Sequence, residues 1–248
     1  MNEVFCGTIV VSSEVTEDVS VNKSDLKLFK IKLSTYSHLV LEFKKYLNTT
    51  ELERAQKYHF EKDINRFIIC RTFLKLILAQ QTVDNVSNIY IKTDNNNKPY
   101  ISSKKTIFFN LSHAADYAII AVCSVPIGID LEFQNKKFEF KEILNSTFSD
   151  LEIETISKAK DQTAMFYKFW TRKEAIVKAT GVGISADLKQ VPAIDGYHSI
   201  ESNILAGFKN LQVLSFYLNE DYVAAVAFSN ENINVDKLVF YSNPSCFE

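Results

Sequence analysis

The chain is short of glycine: only six of its 248 residues, with four histidines and one tryptophan. An ordinary domain carries about 7% glycine, so flexible linkers, collagen-like repeats and glycine-rich low complexity are excluded. The scarce residues are also informative wherever two of them fall together. The charge balance lacks an excess of either sign, with 28 basic and 30 acidic residues and a formal net charge of −2. That gives no global attraction to nucleic acid or to an anionic membrane, and any anionic ligand needs a local cluster of cations. Cys6, Cys70, Cys123 and Cys246 are scattered, with no CxxC pair, metal-ligand spacing or disulfide framework. They read as reduced thiols in a cytoplasmic protein. The start, MNEVFCGTIVV, has an acidic residue where a signal peptide needs basic ones. The longest apolar stretch, Tyr117 to Cys123, is far below the roughly 18 residues of a membrane span. No membrane association is expected.

What is present is a core-forming composition, 46% hydrophobic and 12% aromatic, in a chain long enough to bury about 70% of its unfolded surface. Residues 3–11 read as a strand. Residues 36–81 turn helical, with Thr50 as a cap for a helix beginning Glu51-Leu52-Glu53. A longer helix there carries Ile64, Phe67, Ile68, Arg71, Leu74 and Leu78 near 3.6-residue spacing. The polar run Asp94 to Pro99 reads as a turn, followed by strands at 106–110, 117–124 and 127–132. Ser149 with Glu152 forms a capping box, and a helix from Gln162 to Ala179 stops at Gly181-Val182-Gly183. Strands at 211–218, 222–229 and 237–241 close the chain.

The segments beginning at Tyr117 and Tyr222 share a pattern, Tyr-Ala-Ile-Ile-Ala-Val-Cys-Ser and Tyr-Val-Ala-Ala-Val-Ala-Phe-Ser. Strand composition alone can produce such a match. The shared order of long helix, turn and paired strands favours duplication of an α/β unit. The expectation is an α+β pseudo-dimer of halves 1–125 and 126–248, each a helix on a small, mostly antiparallel sheet, with the active site between them.

Four segments carry chemistry. In Gly128-Ile-Asp-Leu-Glu132, strand alternation puts Asp130 and Glu132 on one face. Two adjacent carboxylates repel unless a cation intervenes, and hard oxygen ligands suit Mg²⁺; an exposed polar edge has the same spacing. In Trp170-Thr-Arg-Lys-Glu-Ala-Ile-Val-Lys178, Glu174 and Lys178 stand at i,i+4. They are either a solvated ion pair or a metal ligand beside a phosphate-binding lysine. Asn110-Leu-Ser-His113 ends a strand on a turn, where Ser112 and His113 can donate to phosphate; no third group makes a triad. Arg54, Lys57, Arg66, Arg71 and Lys98 form a looser basic set, suited to phosphate or simply solvated.

In this order, the motifs Asn110-Leu-Ser-His113, Gly128-Ile-Asp-Leu-Glu132 and Trp170-Thr-Arg-Lys-Glu-Ala-Ile-Val-Lys178 resemble the 4′-phosphopantetheinyl transferases of the surfactin-synthase-activating (Sfp-like) type. Arg66 and Asn97-Lys98-Pro99-Tyr100 extend the resemblance across residues 50–185. It implies a monomeric enzyme that moves the 4′-phosphopantetheine arm of coenzyme A to a serine of an acyl or peptidyl carrier protein, releasing adenosine 3′,5′-bisphosphate. It further implies that Asp130, Glu132 and Glu174 hold Mg²⁺, and that Glu174 takes the serine proton. Lys178 and His113, with Lys98, Ser112, Lys173 and Arg66, would serve the coenzyme's phosphates. The helix that in relatives reaches the 3′-phosphate reads Glu51-Leu-Glu-Arg54-Ala-Gln-Lys57 here, leaving open which cation does that work. Ala114-Ala115 replace a serine or glycine common after Ser-His. Two competing readings use the same residues: a Mg²⁺-dependent phosphohydrolase, and a non-catalytic module binding coenzyme A or a carrier protein. The carrier is expected to dock between a helix at 139–145 and the motif helix.

Three of the six glycines, Gly128, Gly181 and Gly183, fall in or just after these motifs, as do the tryptophan and one histidine.

Overall fold

Side-chain caps mark the starts of α-helices at Asn48, Ser149 and Asp161. In the computed structural model, which describes residues 2–15, 26–183, 187–200, 204–229, 235 and 238–244, strands β1 (Asn2–Thr8), β2 (Val11–Val15) and β3 (Lys27–Lys32) come first. The strand expected over 3–11 therefore breaks after Thr8. The helical region is several pieces: a 3₁₀ segment Leu33–Leu39, α1 (Val40–Phe43), a second 3₁₀ turn, α2 (Thr49–Gln56) and α3 (Glu61–Thr82). Asn48, not Thr50, caps α2. Its side chain accepts from the Glu51 N–H at 2.9 Å, and Glu51 accepts from the Asn48 N–H at 3.0 Å. The short strands β4 (Lys92–Thr93) and β5 (Pro99–Tyr100) follow, and Asp94 Oδ1 shapes their turn by accepting the Asn96 and Lys98 N–H groups.

Then come β6 (Phe108–Ala114), β7 (Tyr117–Cys123) and β8 (Ile127–Phe133). The Asn-Leu-Ser-His segment lies inside β6 rather than on a turn, because the β6–β7 ladder runs to Ala114 opposite Tyr117. The second half supplies α4 (Lys141–Thr147), α5 (Asp150–Lys158), α6 (Gln162–Thr180), β9 (Gly196–Ile200), β10 (Asn210–Asn219), β11 (Tyr222–Ser229) and β12 (Leu238–Tyr241). Ser149 and Glu152 form the capping box of α5, as expected. Asp161 caps α6 by accepting from Ala164, and Gly181 ends it at φ 72°.

Two five-stranded mixed sheets result, ordered β2-β12-β3-β7-β6 and β8-β11-β10-β1-β9. Each takes one strand from the other end of the chain: β1 joins the second sheet parallel to β10, and β12 joins the first parallel to β3. The sheets face one another through Leu28, Ile119, Ala121 and Cys123 on one side and Ile127, Ile129, Leu131, Phe216 and Phe228 on the other. Helix α3 covers the outer face of the first sheet through Ile69, Phe73 and Ile77. Helix α6 covers the second through Ala175, Ile176 and Ala179. Each buried Ile, Leu or Phe among them contributes about 1.5–3 kcal/mol of transfer free energy. This is an α+β fold of two similar halves. Tyr117 and Tyr222, the matching positions of the repeated segments, meet edge to face with ring centroids 5.0 Å apart, as equivalent residues do near a two-fold relation. Among the described residues, no helix is long and apolar enough to cross a membrane.

Candidate active site

Two edge strands from different sheets meet to build the site. β8 pairs with β11 on one side only, which leaves N–H groups on its other edge to be satisfied. The Asn110 side chain accepts from Ile129 N at 2.8 Å, and Ser112 Oγ accepts from Leu131 N at 3.2 Å, both from β6. Two motif residues therefore stitch the sheets together, a role their sequence did not signal.

Along β8, Ile127, Ile129 and Leu131 enter the core between the sheets. Gly128, Asp130 and Glu132 alternate with them, toward α6. Gly128 lets the helix approach its backbone: a Cβ there would lie 2.2 Å from the Ala175 carbonyl oxygen and 2.3 Å from Ala179 N. Trp170, Glu174 and Lys178, at i, i+4 and i+8 on α6, line one pocket with Ser112, His113, Asp130 and Glu132. Lys178 Nζ donates to Asp130 Oδ1 at 2.6 Å, and Ser112 Oγ donates to the same oxygen at 3.1 Å. Burial pushes the Glu132 carboxyl up to about 7, with Asp130 adding to the rise and the Trp170 indole N–H, which hydrogen-bonds it, pulling down. Glu174 is raised by burial first and then by Asp130. Burial, with Arg66 nearby, holds His113 below the ordinary imidazole range.

Whether these residues suit a cation can be judged from Asp130. Its Oδ2 is buried without a hydrogen-bond partner among the described residues, an expensive condition for a carboxylate oxygen, and the ligand groups around it are hard oxygens of the type Mg²⁺ takes. Among the described residues, however, no three His, Cys, Asp or Glu side chains are drawn close enough to hold a metal. Asp130 is instead paired with Lys178, and neighbouring carboxylates repel one another unless a cation lies among them. The donor chemistry fits; the closed cluster is not formed.

Lys173 departs from the phosphate-binding expectation. It is fully buried, pairs with Glu152 at 2.8 Å and donates to the Leu188 and Val191 carbonyls. Adjacent helical positions differ by about 100°, so with Glu174 facing the pocket Lys173 turns into the packing against α5. Arg172 is likewise internal, bonded to Ser215 Oγ, the Gly7 and Ala193 carbonyls and Asp195.

Beside the carboxylates lies a basic cavity of about 440 Å³, lined among others by Arg54, Arg66, Phe67, Arg71, Asn110 and His113. Arg66 pairs with Asp63 at 2.8 Å, and the Arg54 and Arg71 guanidiniums lie over the Phe67 ring at 5.6 and 5.3 Å. A second cavity of about 320 Å³ runs from Lys98 and Pro99 past Asn110 to Glu174, Lys178 and Gly181. The Lys98 ammonium donates to the Ala179 carbonyl at the end of α6, and burial lowers it to about 8. Asn110 borders both cavities, and His113 joins the basic one to the carboxylates. In the sequence Arg54 and Arg71 stand on separate helical segments, as two of a loose basic set. Nothing in their spacing announced that α2 and α3 would bring them together over Phe67.

Comparison with known proteins follows the same two-part layout. Residues 126–227 match the family model described as the 4′-phosphopantetheinyl transferase superfamily, and residues 35–125 match 4′-phosphopantetheinyl transferase, N-terminal. The Bacillus subtilis 4′-phosphopantetheinyl transferase Sfp is 30% identical over 164 residues, 64% of this chain and 72% of that protein. The Bacillus pumilus 4′-phosphopantetheinyl transferase psf-1 is 28% identical over 175 residues, 68% of this chain and 74% of its own length. The human L-aminoadipate-semialdehyde dehydrogenase-phosphopantetheinyl transferase is 29% identical over 155 residues, covering 57% of this chain but only half of its own. The match to a Synechocystis relative covers 64% of that protein's length, just under two thirds. With both halves matched by models of one family, and the motif strand and motif helix facing a single pocket, the chain belongs to the 4′-phosphopantetheinyl transferase superfamily.

Proposed function

We propose that this chain transfers the 4′-phosphopantetheine arm of coenzyme A to a serine of an acyl or peptidyl carrier protein, releasing adenosine 3′,5′-bisphosphate. The observation that carries the reading is one cleft in which an acidic, base-bearing pocket adjoins a cavity lined by three arginines. Coenzyme A has complementary parts, a pyrophosphate at the reacting end and a phosphate monoester on the ribose.

In this reading Asp130, Glu132 and Glu174 would hold Mg²⁺, which when bound supplies Lewis-acid polarisation of the pyrophosphate. Glu174, its proton affinity raised by burial, accepts the proton of the carrier serine. The serine oxygen forms a bond to the pantetheine-side phosphorus. The bond from that phosphorus to the bridging oxygen breaks, and the electron pair leaves on the adenosine-side phosphate. Lys178, moving from Asp130 to a phosphate oxygen, and His113 and Ser112 donate to the charge that gathers there. Arg54, Arg66 and Arg71 hold the ribose 3′-phosphate, Arg being suited to bidentate phosphate contact. All these groups lie on this chain, and in this reading a single copy holds the complete site. The free, buried Cys6, Cys70 and Cys123 suit a reducing cytoplasm; Cys246 lies outside the described residues.

The test is intact-protein mass spectrometry of an apo carrier panel incubated with coenzyme A and Mg²⁺, with an established transferase as positive control. The expected result is a carrier heavier by one phosphopantetheine. Cleavage of coenzyme A with no carrier modified would select the phosphohydrolase, and neither reaction would leave only binding.

A pH dependence follows from Glu132. Its proton is held up to about pH 7, and a metal takes only the ionised form. Mg²⁺ affinity measured by calorimetry therefore rises between pH 6 and pH 8, with net proton release near neutrality. Glu132→Gln flattens that profile, and an affinity indifferent to pH removes Glu132 from the ligand set.

A further inference from the structure

Behind the three arginines of the basic cavity stands one buried carboxylate. Glu51 of α2 is 7% exposed. Its Oε2 accepts from the Asn48 backbone N–H at 3.0 Å and from Lys75 Nζ at 3.1 Å. Its Oε1 lies 3.7 Å from Arg71 Nε and, although buried, has no hydrogen-bond partner among the described residues. One side chain thus closes the cap of α2, which carries Arg54, and touches two cations of α3. On the cavity side, burial and the neighbouring Arg54 both disfavour the Arg71 charge, and Glu51 opposes them in part. Glu51 approaches Arg71 through Nε, the inner guanidinium nitrogen, so it does not take the place of an anion at the outer edge. Its other oxygen is already engaged by Asn48 and Lys75, which makes it a poor competitor for a phosphate site and a good anchor for one.

We propose that Glu51 is a positioning residue for the 3′-phosphate of coenzyme A. It acts through Arg71 and through the cap of α2, setting Arg71 and Arg54 at the spacing over Phe67 that lets both meet one dianionic phosphate monoester. The inference rests on the coenzyme reading of the cavity given above. It is separate from the transfer chemistry, because Glu51 lines neither the carboxylate pocket nor the cavity beside Lys98.

The experiment needs no turnover. Calorimetry compares adenosine 3′,5′-bisphosphate with adenosine 5′-monophosphate, which differ only in the 3′-phosphate. Wild-type protein is expected to prefer the bisphosphate. Glu51→Gln keeps acceptors for Asn48 and Lys75 but removes the charge. It is expected to cut that preference about tenfold, within the usual range of coupling between contacting residues, with the monophosphate affinity nearly unchanged. Glu51→Asp, which keeps the charge but withdraws it by one methylene, provides the same test should the glutamine variant not fold. Ile77→Val, in the core packing of α3 and away from the cavity lining, serves as the structural control: it lowers Tm but leaves the preference intact. A preference retained in the Glu51 variants, or increased in them, overturns this inference alone. So does an equal loss in Ile77→Val, which would mean general loosening of α3. A wild type that does not distinguish the two nucleotides overturns the coenzyme reading of the cavity and this inference with it.

Discussion

Asp130→Asn and Glu174→Gln are each expected to lower phosphopantetheine transfer by about a thousandfold or more, which is about 4 kcal/mol of transition-state stabilisation at 1.36 kcal/mol per factor of ten. Both substitutions preserve volume, so the measured Tm should stay within a few degrees of wild type. The two fail for different reasons. Asp130 is the anchor of the pocket: it receives Lys178 and Ser112 on one oxygen and keeps the other buried with no partner among the described residues. Neutralising it removes the charge that would retain a cation and frees Lys178 from its ion pair. Glu174 sits where both cavities flanking Lys178 meet, and an amide there cannot take the serine proton. Calorimetric Mg²⁺ binding separates the roles: it is lost in Asp130→Asn and weakened in Glu174→Gln. A variant of either position that keeps more than a tenth of wild-type transfer would show that the metal and base have been assigned to the wrong carboxylates.

Gly128→Ala is expected to be the most damaging single methyl group in the protein. The added Cβ would fall 2.2 Å from Ala175 O, 2.3 Å from Ala179 N and 2.9 Å from the Lys178 carbonyl carbon, all of them backbone atoms of α6. No rotamer change relieves a clash between two backbones, so the helix must move away from β8. Overpacking of a tight core costs about 1–3 kcal/mol, and more where nothing can yield. We expect about 3 kcal/mol, a fall in Tm of about 6–12 °C for a chain of this size. Activity should fall further than stability, since Trp170, Glu174 and Lys178 ride on the displaced helix while Asp130 and Glu132 stay on the strand. A displacement of about 1 Å in a reacting group costs about a hundredfold. Thermal melting and transfer rate measured on the same preparation test both parts, and an unchanged Tm would refute the close packing.

The two predictions depend on features that differ in how far the sequence revealed them. Period-two alternation set Asp130 and Glu132 on one face, and i,i+4 spacing aligned Glu174 with Lys178, because strand and helix geometry are properties of a few consecutive residues. The capping box of α5 and the glycine stop of α6 were legible for the same reason. The α2 cap at Asn48 lies two residues before the position expected from pattern, since Asn and Thr are both good caps and only the backbone path chooses between them.

Long-range decisions were hidden. Lys173 and Glu174 are neighbours in sequence, yet one is sealed against Glu152 and the other faces the pocket, an outcome set by which side of α6 meets the sheet. Asn110 and Ser112 have the composition of a turn, and only the meeting of two sheet edges turns them into partners for the N–H groups of β8. The exchange of β1 and β12 between the sheets, and the gathering of Arg54, Arg66 and Arg71 around one cavity, likewise join residues far apart in the chain.

By itself, then, the sequence determined which side chains could do chemistry and how each sits on its own strand or helix, since those periodicities are local. The tertiary structure alone decided which of them face one another, because that depends on how closely α6 can approach β8. Among so few glycines, Gly128 is the one that permits the approach: without a Cβ in the way, the helix bearing Glu174 and Lys178 comes within reach of the strand bearing Asp130 and Glu132.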